Sequence, residues 1–242
     1  MNPELSVVIP VCNEEPNIEP LLREILAALP GRALEIIYVD DGSTDGSAAL
    51  LRRLRHEVPA LRVLTHARRS GQSAGLCTGL RAARADWVAT LDGDGQNDPA
   101  DIPRLLAARD APGHDAVRLY MGHRVNRRDT LIRRISSRVA NGVRSRMLRD
   151  ATPDTGCGLK LIHRQTFLEL PRFNHMHRFL PALVHRAGAQ VLSVPVHHRE
   201  RERGISKYGL FDRLWVGIVD LFGVMWLARR KVAPPGISEQ RD

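Results

Sequence analysis

The chain of 242 residues carries 36 Lys and Arg against 27 Asp and Glu, a formal net charge of +9, and 43% of its residues are hydrophobic. This length and apolar content can bury the core of one full-sized domain, which excludes a disordered chain and a small disulfide-stabilised fold. The three cysteines are an odd number without C-x-x-C spacing, so the sequence predicts a cytosolic protein with neither a disulfide framework nor a zinc site.

The chain begins with a strand pattern and a polar turn. Leu5–Pro10 is apolar and rich in β-branched residues, which predicts a strand. The strand leads through a turn containing Asn13 and Glu14 into an amphipathic segment near Ile18–Leu29, which predicts a helix. Since the strand pattern starts within the first few residues, no signal peptide is expected.

The same order of strand, polar turn and helix recurs in the following part of the chain. A second strand ends at Asp40 and Asp41, and a third leads into the turn at Gly71 and Gln72. These two strands are Leu34–Val39 and Arg62–Leu64, and a fourth is Trp87–Leu91. The helices between them are Ala48–Glu57 and a segment after Ala74. This alternation predicts an α/β fold with a mostly parallel sheet and helices on both faces.

The turn that follows Trp87–Leu91 carries two carboxylates, Asp92 and Asp94, separated by a glycine. A parallel sheet places such turns at the carboxyl ends of its strands, where open α/β folds bind their ligands. Two close carboxylates repel each other unless a cation lies between them, and a hard divalent ion is the usual one. Mg²⁺ takes one or two protein carboxylates together with substrate phosphates, so these turns predict a metal-dependent nucleotide site.

Three motifs at these turns resemble a known family. V-V-I-P-V-C-N-E-E, V-D-D-G-S-T-D and L-D-G-D-G-Q are similar, in order and spacing, to the inverting nucleotide-sugar glycosyltransferases of family 2. In the second half, M-G-H-R, D-T-G-C-G and R-G-I-S-K-Y narrow the resemblance to polyprenyl-phosphate sugar transferases, of which dolichyl-phosphate mannosyltransferase is the type member. The similarity covers roughly residues 4–210 and implies a Rossmann-like GT-A sheet and a hexosyltransferase activity.

The resemblance also implies roles for particular residues. The residues implied to bind a nucleotide-sugar donor are Pro10, Asn13, Glu14, Asp41, Gly71, Gln72 and Asp92. Those implied to hold a Mg²⁺ or Mn²⁺ ion are Asp92, Asp94 and Gln96. Those implied to be catalytic are Asp94, Arg124, Arg133, Ser137, Arg203 and Lys207. Many relatives have Asn before the glycine of the third turn, where this chain has Ser70.

The implied reaction transfers a sugar from a GDP- or UDP-linked donor to a polyprenyl phosphate. A metal ion near Asp94 and cations such as Arg203 and Lys207 would neutralise the departing diphosphate. A phosphate monoester is already anionic and needs no general base, only arginines that position it. The alternative is a saccharide or other soluble hydroxyl acceptor, for which Asp154 would act as the general base.

Charge is distributed unevenly between the two halves of the chain. Residues 1–115 hold 12 Arg against 17 acidic residues, whereas residues 116–242 hold 24 Lys and Arg against 10 acidic residues. A basic half suits an enzyme that acts on an anionic lipid at a membrane surface, although part of this excess would be solvated surface arginine. Nucleic-acid binding is not expected, because the basic residues lack interleaved aromatic residues and a recognisable motif.

A C-terminal segment, Leu214–Ala228, is apolar but too short to span a membrane, and it contains Asp220. Its aromatic residues and the basic residues that follow predict an amphipathic helix in the membrane interface, with packing on the core as the alternative. The predicted organisation is a catalytic domain at 1–210, this helix at 211–231 and a disordered tail at 232–242. Leu131–Leu148 is a second candidate surface helix.

These features predict a peripheral enzyme of the cell envelope, on the cytoplasmic face of the inner membrane. Many relatives continue into transmembrane helices, so a membrane protein partner that supplies such helices is a further expectation. Four histidines, His175, His177, His197 and His198, could bind a metal, but none has a partner at metal-ligand spacing. His177 precedes a segment that in the family lies near the acceptor, so a sugar or acceptor contact is possible there.

Overall fold

The structure is a computed structural model that describes residues 2–125, 142, 144–148, 150, 152–199 and 210–230. Its strands are β1 (Leu5–Val11), β2 (Leu34–Asp40), β3 (Leu61–Thr65), β4 (Trp87–Thr90), β5 (Val117–Arg124), β6 (Lys160–His163) and β7 (Gln190–Val196). Its α-helices are α1 (Glu15–Ala28), α2 (Ser47–Glu57), α3 (Gln72–Ala82), α4 (Ile102–Asp110), α5 (Arg164–Glu169), α6 (Leu180–Arg186) and α7 (Leu210–Arg229). Short 3₁₀ turns lie at Pro99–Asp101 and Met176–Arg178.

The strands of the described residues form one seven-stranded sheet in the order β3-β2-β1-β4-β6-β5-β7. β1 pairs in parallel with β2 and β4, and β2 pairs in parallel with β3, so their carboxyl ends meet at one edge. β6 is antiparallel to β4 and β5, with Lys160 opposite Thr90. The mostly parallel sheet predicted from the sequence is confirmed, and the reversed β6 brings its first residue to the edge where β4 ends.

Helices cover both faces of the sheet because its central strands are apolar on both sides. Val7 and Ile9 of β1 pack in one buried cluster with residues of α1, α2 and α4. Val8, between them, packs in a second cluster with residues of α3, α5, α6 and α7. Successive side chains of a strand point to opposite faces, so a continuous apolar run requires cover on each. The predicted two-sided arrangement is therefore confirmed.

Two glycines allow α3 to lie directly against β1. A Cβ on Gly79 would stand 2.3 Å from Cγ1 of Val8, and one on Gly75 would stand 2.7 Å from Cβ of Pro10. Any larger residue would push the helix away from the sheet. This close packing carries the first residue of the helix, Gln72, to the carboxyl edge of the sheet.

The C-terminal helix α7 packs one side on the core and exposes the other. Val224 is 2% exposed and belongs to the second buried cluster, whereas Phe222 and Trp226 are 55% and 59% exposed. Arg186 of α6 donates from Nε to the carbonyl of Leu227 at 2.8 Å. None of the helices that the structure describes is long and apolar enough to cross a membrane.

Two predicted segments fall largely outside the described residues. Of the candidate helix Leu131–Leu148, residues 144–148 are helical and most of the remainder is not described. The predicted tail at 232–242 also lies outside. The boundaries of the three predicted domains remain predictions.

Candidate active site

The loops that follow β1 and β2 are joined by hydrogen bonds at the carboxyl edge of the sheet. Asn13 has a left-handed backbone, φ 53°, and its N–H donates to Oγ of Ser43 at 2.9 Å. Its side-chain oxygen accepts from the backbone N–H of Thr44 at 2.7 Å. Asp40 accepts from the N–H of Ser43 at 3.0 Å, which fixes the start of the second loop. Asn13 therefore fixes the shape of the site by joining the two loops, and contact with a ligand would be a second role.

Asp41 is held by three donors from the loop after β3. Its carboxylate accepts from the backbone N–H groups of Ser70 and Gly71 at 2.8 and 2.7 Å, and lies 2.7 Å from Nδ1 of His66. Burial alone would raise the pKa of Asp41, but these hydrogen bonds lower it below its usual value. Ser70 contributes only its backbone amide here, so the departure from Asn at this position does not remove the contact.

The other residues of these loops that were predicted to bind the nucleotide-sugar also have partners within the protein. Glu14 accepts from Nδ2 of Asn17 at 2.8 Å, at the start of α1. Gly71 has φ 93°, a backbone conformation that favours glycine. Pro10 lies against Gly75 of α3. The loops after β1, β2 and β3 thus meet at one edge of the sheet, as the sequence predicts.

Asp92 is fixed from several directions. Its Oδ1 accepts from Nε2 of Gln72 at 2.6 Å, and its backbone N–H donates to Oδ1 of Asn97 at 3.0 Å. A Cβ on Gly158 would stand 2.3 Å from Oδ2 of Asp92, so a larger residue there would displace the carboxylate. Burial raises the pKa of Asp92 to about 6, with Lys160 opposing the shift and Asp94 adding to it.

The residues of this turn fit a hard divalent cation. The side chains of Asp92, Asp94 and Gln96 offer only oxygen as metal ligands, and the charge of Asp94 disfavours ionisation of Asp92. A cation between the two carboxylates would relieve that repulsion. No group of three His, Cys, Asp or Glu suited to a metal occurs in the described part of the chain. The turn itself offers two carboxylates, and Mg²⁺ bound with a nucleotide typically takes one or two carboxylates together with phosphates and water.

Lys160 is a site residue that sequence reasoning missed. It is 5% exposed, and its Nζ donates to the carbonyl of Cys157. Burial lowers the pKa of Lys160, and the nearby charge of Asp92 opposes that shift. Only the antiparallel pairing of β6 with β4 places this lysine beside the carboxylate. The sequence signal was a lone lysine after a glycine-containing turn.

Arg124 and Asp154 form a nearly buried ion pair. Nε and Nη2 of Arg124 donate to the two carboxylate oxygens at 2.7 and 2.8 Å, and the side chains are 14% and 6% exposed. The sequence assigned Arg124 to an acceptor phosphate and named Asp154 as the alternative general base. In the structure a guanidinium engages both oxygens of Asp154, which disfavours proton abstraction by this carboxylate.

The other residues predicted to be catalytic cannot be placed. Arg133, Ser137, Arg203 and Lys207 lie outside the described residues. The predicted contacts of these four side chains with the acceptor and the diphosphate therefore remain predictions.

The histidines considered as metal ligands have other partners. His177 lies 2.8 Å from Oγ of Ser73, and burial lowers its pKa to about 3. Nδ1 of His175 lies 3.0 Å from Oδ2 of Asp220 in α7. His197 contacts Asp101. The segment with the first two histidines thus connects α7 to the start of α3, beside Gln72, which a sequence pattern could not reveal.

Comparisons with known proteins agree with this geometry. Residues 6–170 match the family described as glycosyl transferase family 2. Dodecaprenyl-phosphate galacturonate synthase of Rhizobium johnstonii is 39% identical over 240 residues, which cover 96% of this chain and 69% of that protein. Undecaprenyl-phosphate 4-deoxy-4-formamido-L-arabinose transferase of Edwardsiella ictaluri is 38% identical over 210 residues, which cover 85% of this chain and 63% of that protein. The chain spans about two thirds of the length of these relatives.

Solved structures share the fold. The mannosyltransferase PcManGT of Pyrobaculum calidifontis, in complex with GDP-Man and Mn²⁺, superimposes with a TM-score of 0.70 and 24% identity over 97% of this chain and 67% of that one. Glucosyl-3-phosphoglycerate synthase of Mycobacterium tuberculosis, with Mn²⁺, UDP and glucosyl-3-phosphoglycerate, gives 0.68 and 20% over 93% and 80%. These likenesses confirm the GT-A fold. The sequence matches show that the chain belongs to glycosyl transferase family 2.

Proposed function

We propose that the protein transfers a sugar, with inversion, from a GDP- or UDP-sugar to a polyprenyl phosphate. The observation that carries the proposal is the turn at Asp92 and Asp94, which lies at the carboxyl edge of the sheet beside the loops that follow β1, β2 and β3. The names of two relatives, a dodecaprenyl-phosphate galacturonate synthase and an undecaprenyl-phosphate transferase, support the acceptor class.

The donor nucleotide would lie across the loops after β1, β2 and β3. Asp41 is ionised and held rigidly by backbone amides, so it can accept from a base N–H or a ribose hydroxyl. Asn13 and Glu14 flank it on the neighbouring loop. A site that is formed in advance would bind the donor without the entropic cost of ordering its side chains.

Asp92, Asp94 and Gln96 would hold Mg²⁺ or Mn²⁺ against the donor diphosphate. The ion, when bound, supplies positive charge that stabilises the departing nucleoside diphosphate. Gln72 donates to Asp92 and so keeps one oxygen of this carboxylate in a fixed direction. Mn²⁺ in the two fold neighbours supports a divalent ion, and the choice between Mg²⁺ and Mn²⁺ is open to experiment.

A phosphate acceptor fits the chemistry of the acceptor side better than a sugar hydroxyl does. A polyprenyl phosphate is anionic at neutral pH and can attack without a general base. Asp154, the candidate base of the alternative reaction, is engaged at both oxygens by Arg124. Its pairing with Arg124 supports a positioning role, in which the carboxylate orients a cation toward the acceptor.

The enzyme would work at the cytoplasmic face of the inner membrane, as a peripheral protein. The exposed apolar residues of α7, Phe222 and Trp226, and the exposed Arg229 and Arg230 after them suit a helix that lies among lipid head groups. A membrane protein partner could add transmembrane helices. Phe222→Ser and Trp226→Ser should each reduce the fraction of protein that pellets with vesicles containing anionic lipid. If the parent protein pelleted equally with neutral and with anionic vesicles, this part of the proposal would be contradicted.

A panel of donors tests the reaction itself. Purified protein, Mn²⁺ or Mg²⁺ and undecaprenyl phosphate in detergent are incubated with GDP- and UDP-sugars, including a uronic acid and an amino-pentose donor. A lipid-linked sugar from one donor, absent with Asp94→Ala, is the expected result. If all donors bind but none yields product, the acceptor class is wrong, and a panel of soluble acceptors replaces the lipid.

A further inference from the structure

Residues 197–199, directly after β7, run along the outer side of residues 92–98, which we call the metal-binding turn because Asp92 and Asp94 would hold the ion. His198 forms an antiparallel bridge with Asn97, and the N–H of Arg199 donates to the carbonyl of Gln96 at 3.1 Å. The N–H of His197 donates to Oδ2 of Asp101 at 2.6 Å, just beyond the turn. This segment is therefore joined to the turn by an isolated β-bridge and two further hydrogen bonds, next to the residues that would hold the ion.

The side chain of Arg199 joins this turn to a helix. Nη2 lies 2.7 Å from Oδ1 of Asp98, at the end of the turn, and Nη1 lies 2.7 Å from Oε2 of Glu24 in α1. The helix is anchored in the first core cluster through buried residues such as Ile18. One guanidinium thus connects the turn to a rigid element of the fold.

The inner side of the same turn contacts the carboxylates. Asn97 is 3% exposed, and its side-chain oxygen accepts from the backbone N–H of Asp92. Its Nδ2 lies 3.9 Å from Sγ of Cys157, so the amide group cannot rotate without losing both contacts. A displacement at Gln96 or Asn97 would therefore be passed directly to Asp92.

We propose that Arg199 is a positioning residue, which sets the geometry of the metal-binding turn by tying it to α1. The inference rests on the metal site of the proposed function, since it needs a cation at Asp92 and Asp94, but it does not depend on the acceptor or the sugar. Metal affinity depends on ligand positions held by surrounding hydrogen bonds, and loss of such a partner commonly weakens binding by about tenfold or more. Stability depends on Arg199 far less, because ion pairs between partly exposed side chains contribute little to it.

A matched control distinguishes these effects. Arg53 bridges Glu19 and Glu57 at 2.7 and 2.6 Å, and its side chain is 52% exposed, close to the 40% of Arg199. It makes the same kind of surface contact between two carboxylates, but none of its partners belongs to the metal-binding turn. Arg53→Gln therefore removes one arginine bridge of the same kind at a distance from the site, while Arg23 still pairs with both carboxylates.

The experiment measures Mn²⁺ binding to the full chain by electron paramagnetic resonance, with UDP or GDP present, alongside the thermal unfolding midpoint. Arg199→Gln should weaken Mn²⁺ binding about three- to tenfold while its midpoint stays close to that of Arg53→Gln. Arg199→Lys, which can keep one of the two pairs, should fall between. Arg53→Gln should bind Mn²⁺ as the parent does.

Equal Mn²⁺ affinity in Arg199→Gln and Arg53→Gln would overturn the proposal. So would a loss of affinity in Arg199→Gln that only accompanies a large fall in the unfolding midpoint. The measurement uses no sugar and no acceptor, so a parent protein that binds Mn²⁺ but transfers nothing would refute the proposed function and leave this inference standing.

Discussion

Two carboxyl groups at opposite edges of the sheet have pKa values shifted in opposite directions. Glu35, near the amino end of β2, accepts from Oγ of Ser6, from Arg62 and from the backbone of Arg84. Burial would raise its pKa, but these hydrogen bonds lower it. Burial raises the pKa of Asp92, at the carboxyl end of β4, to about 6, although Lys160 opposes the shift.

The difference separates a carboxylate that stabilises the fold, Glu35, from the one that we propose to bind a cation, Asp92. Around Glu35 the fold supplies a hydroxyl, an amide and a guanidinium, so the ionised form is stabilised by the protein itself. Around Asp92 the fold adds a second carboxylate, Asp94, and leaves negative charge that a bound cation would neutralise. Of these two groups, Glu35 contributes to stability, whereas Asp92 keeps a negative site for a cation at some cost to stability.

The largest effect is expected from neutralising Asp92 and Asp94, the carboxylates that we propose to hold the cation. Asp92→Asn and Asp94→Asn should each lower sugar transfer by roughly 10³-fold, because the diphosphate would leave without its counterion. Asp92→Asn should not lower the free energy of unfolding of the metal-free protein, since it removes a charge that its surroundings disfavour. Turnover assays and urea unfolding on the same preparation check both. A strongly destabilised Asp92→Asn would end the distinction between the two edges.

Glu35→Gln should show the opposite behaviour. It removes charge-assisted hydrogen bonds and should lower the free energy of unfolding by about 2 kcal/mol. Turnover per folded molecule should stay near that of the parent, because Glu35 lies at the far edge from the site. Urea unfolding followed by circular dichroism measures the first quantity. A large loss of turnover in fully folded protein would show that the amino edge also serves the reaction.

Asp154→Asn should have a smaller effect, on acceptor binding. If Asp154 orients Arg124, its loss should raise KM for the polyprenyl phosphate by roughly tenfold and change kcat by only a few-fold. Steady-state kinetics at varied acceptor concentration measure both constants. A collapse of kcat with KM unchanged would instead favour the alternative reaction, with Asp154 as general base.

The smallest effect concerns pH. The folded-state pKa of Glu35 lies below its unfolded value of about 4.3, so ionisation contributes stability above that pH. This contribution is lost as the pH falls through the folded pKa, because the proton then binds the folded state too. The parent should therefore lose more stability than Glu35→Gln between about pH 5 and pH 3. Parallel loss in the two proteins would mean that Glu35 is not stabilised as its contacts indicate.

Much of the fold of residues 1–115 could be predicted from the sequence. The predicted strands Leu5–Pro10 and Leu34–Val39 match β1 and β2 to within one residue at their ends. Their long apolar runs reflect burial on both faces, which leaves a strong signal. Since parallel strands end at one edge, the meeting of the polar turns also followed from the order of elements.

The fold of residues 116–242 was less predictable for physical reasons. β6 has four residues, and β7 alternates exposed and buried positions too weakly to distinguish it from a loop. The place of Lys160 beside Asp92 depends on antiparallel pairing between distant segments. The Arg124–Asp154 pair likewise joins residues 30 positions apart. Such long-range pairings leave no periodic pattern in a single sequence.

The most direct test of the account is transfer of a radiolabelled sugar to undecaprenyl phosphate by metal-free protein titrated with Mn²⁺, using the donor found in the panel. The account predicts that product appears only as Mn²⁺ is added, and that Asp94→Asn yields almost none at any concentration. Product formation at the parent rate in EDTA, or by Asp94→Asn, would contradict it.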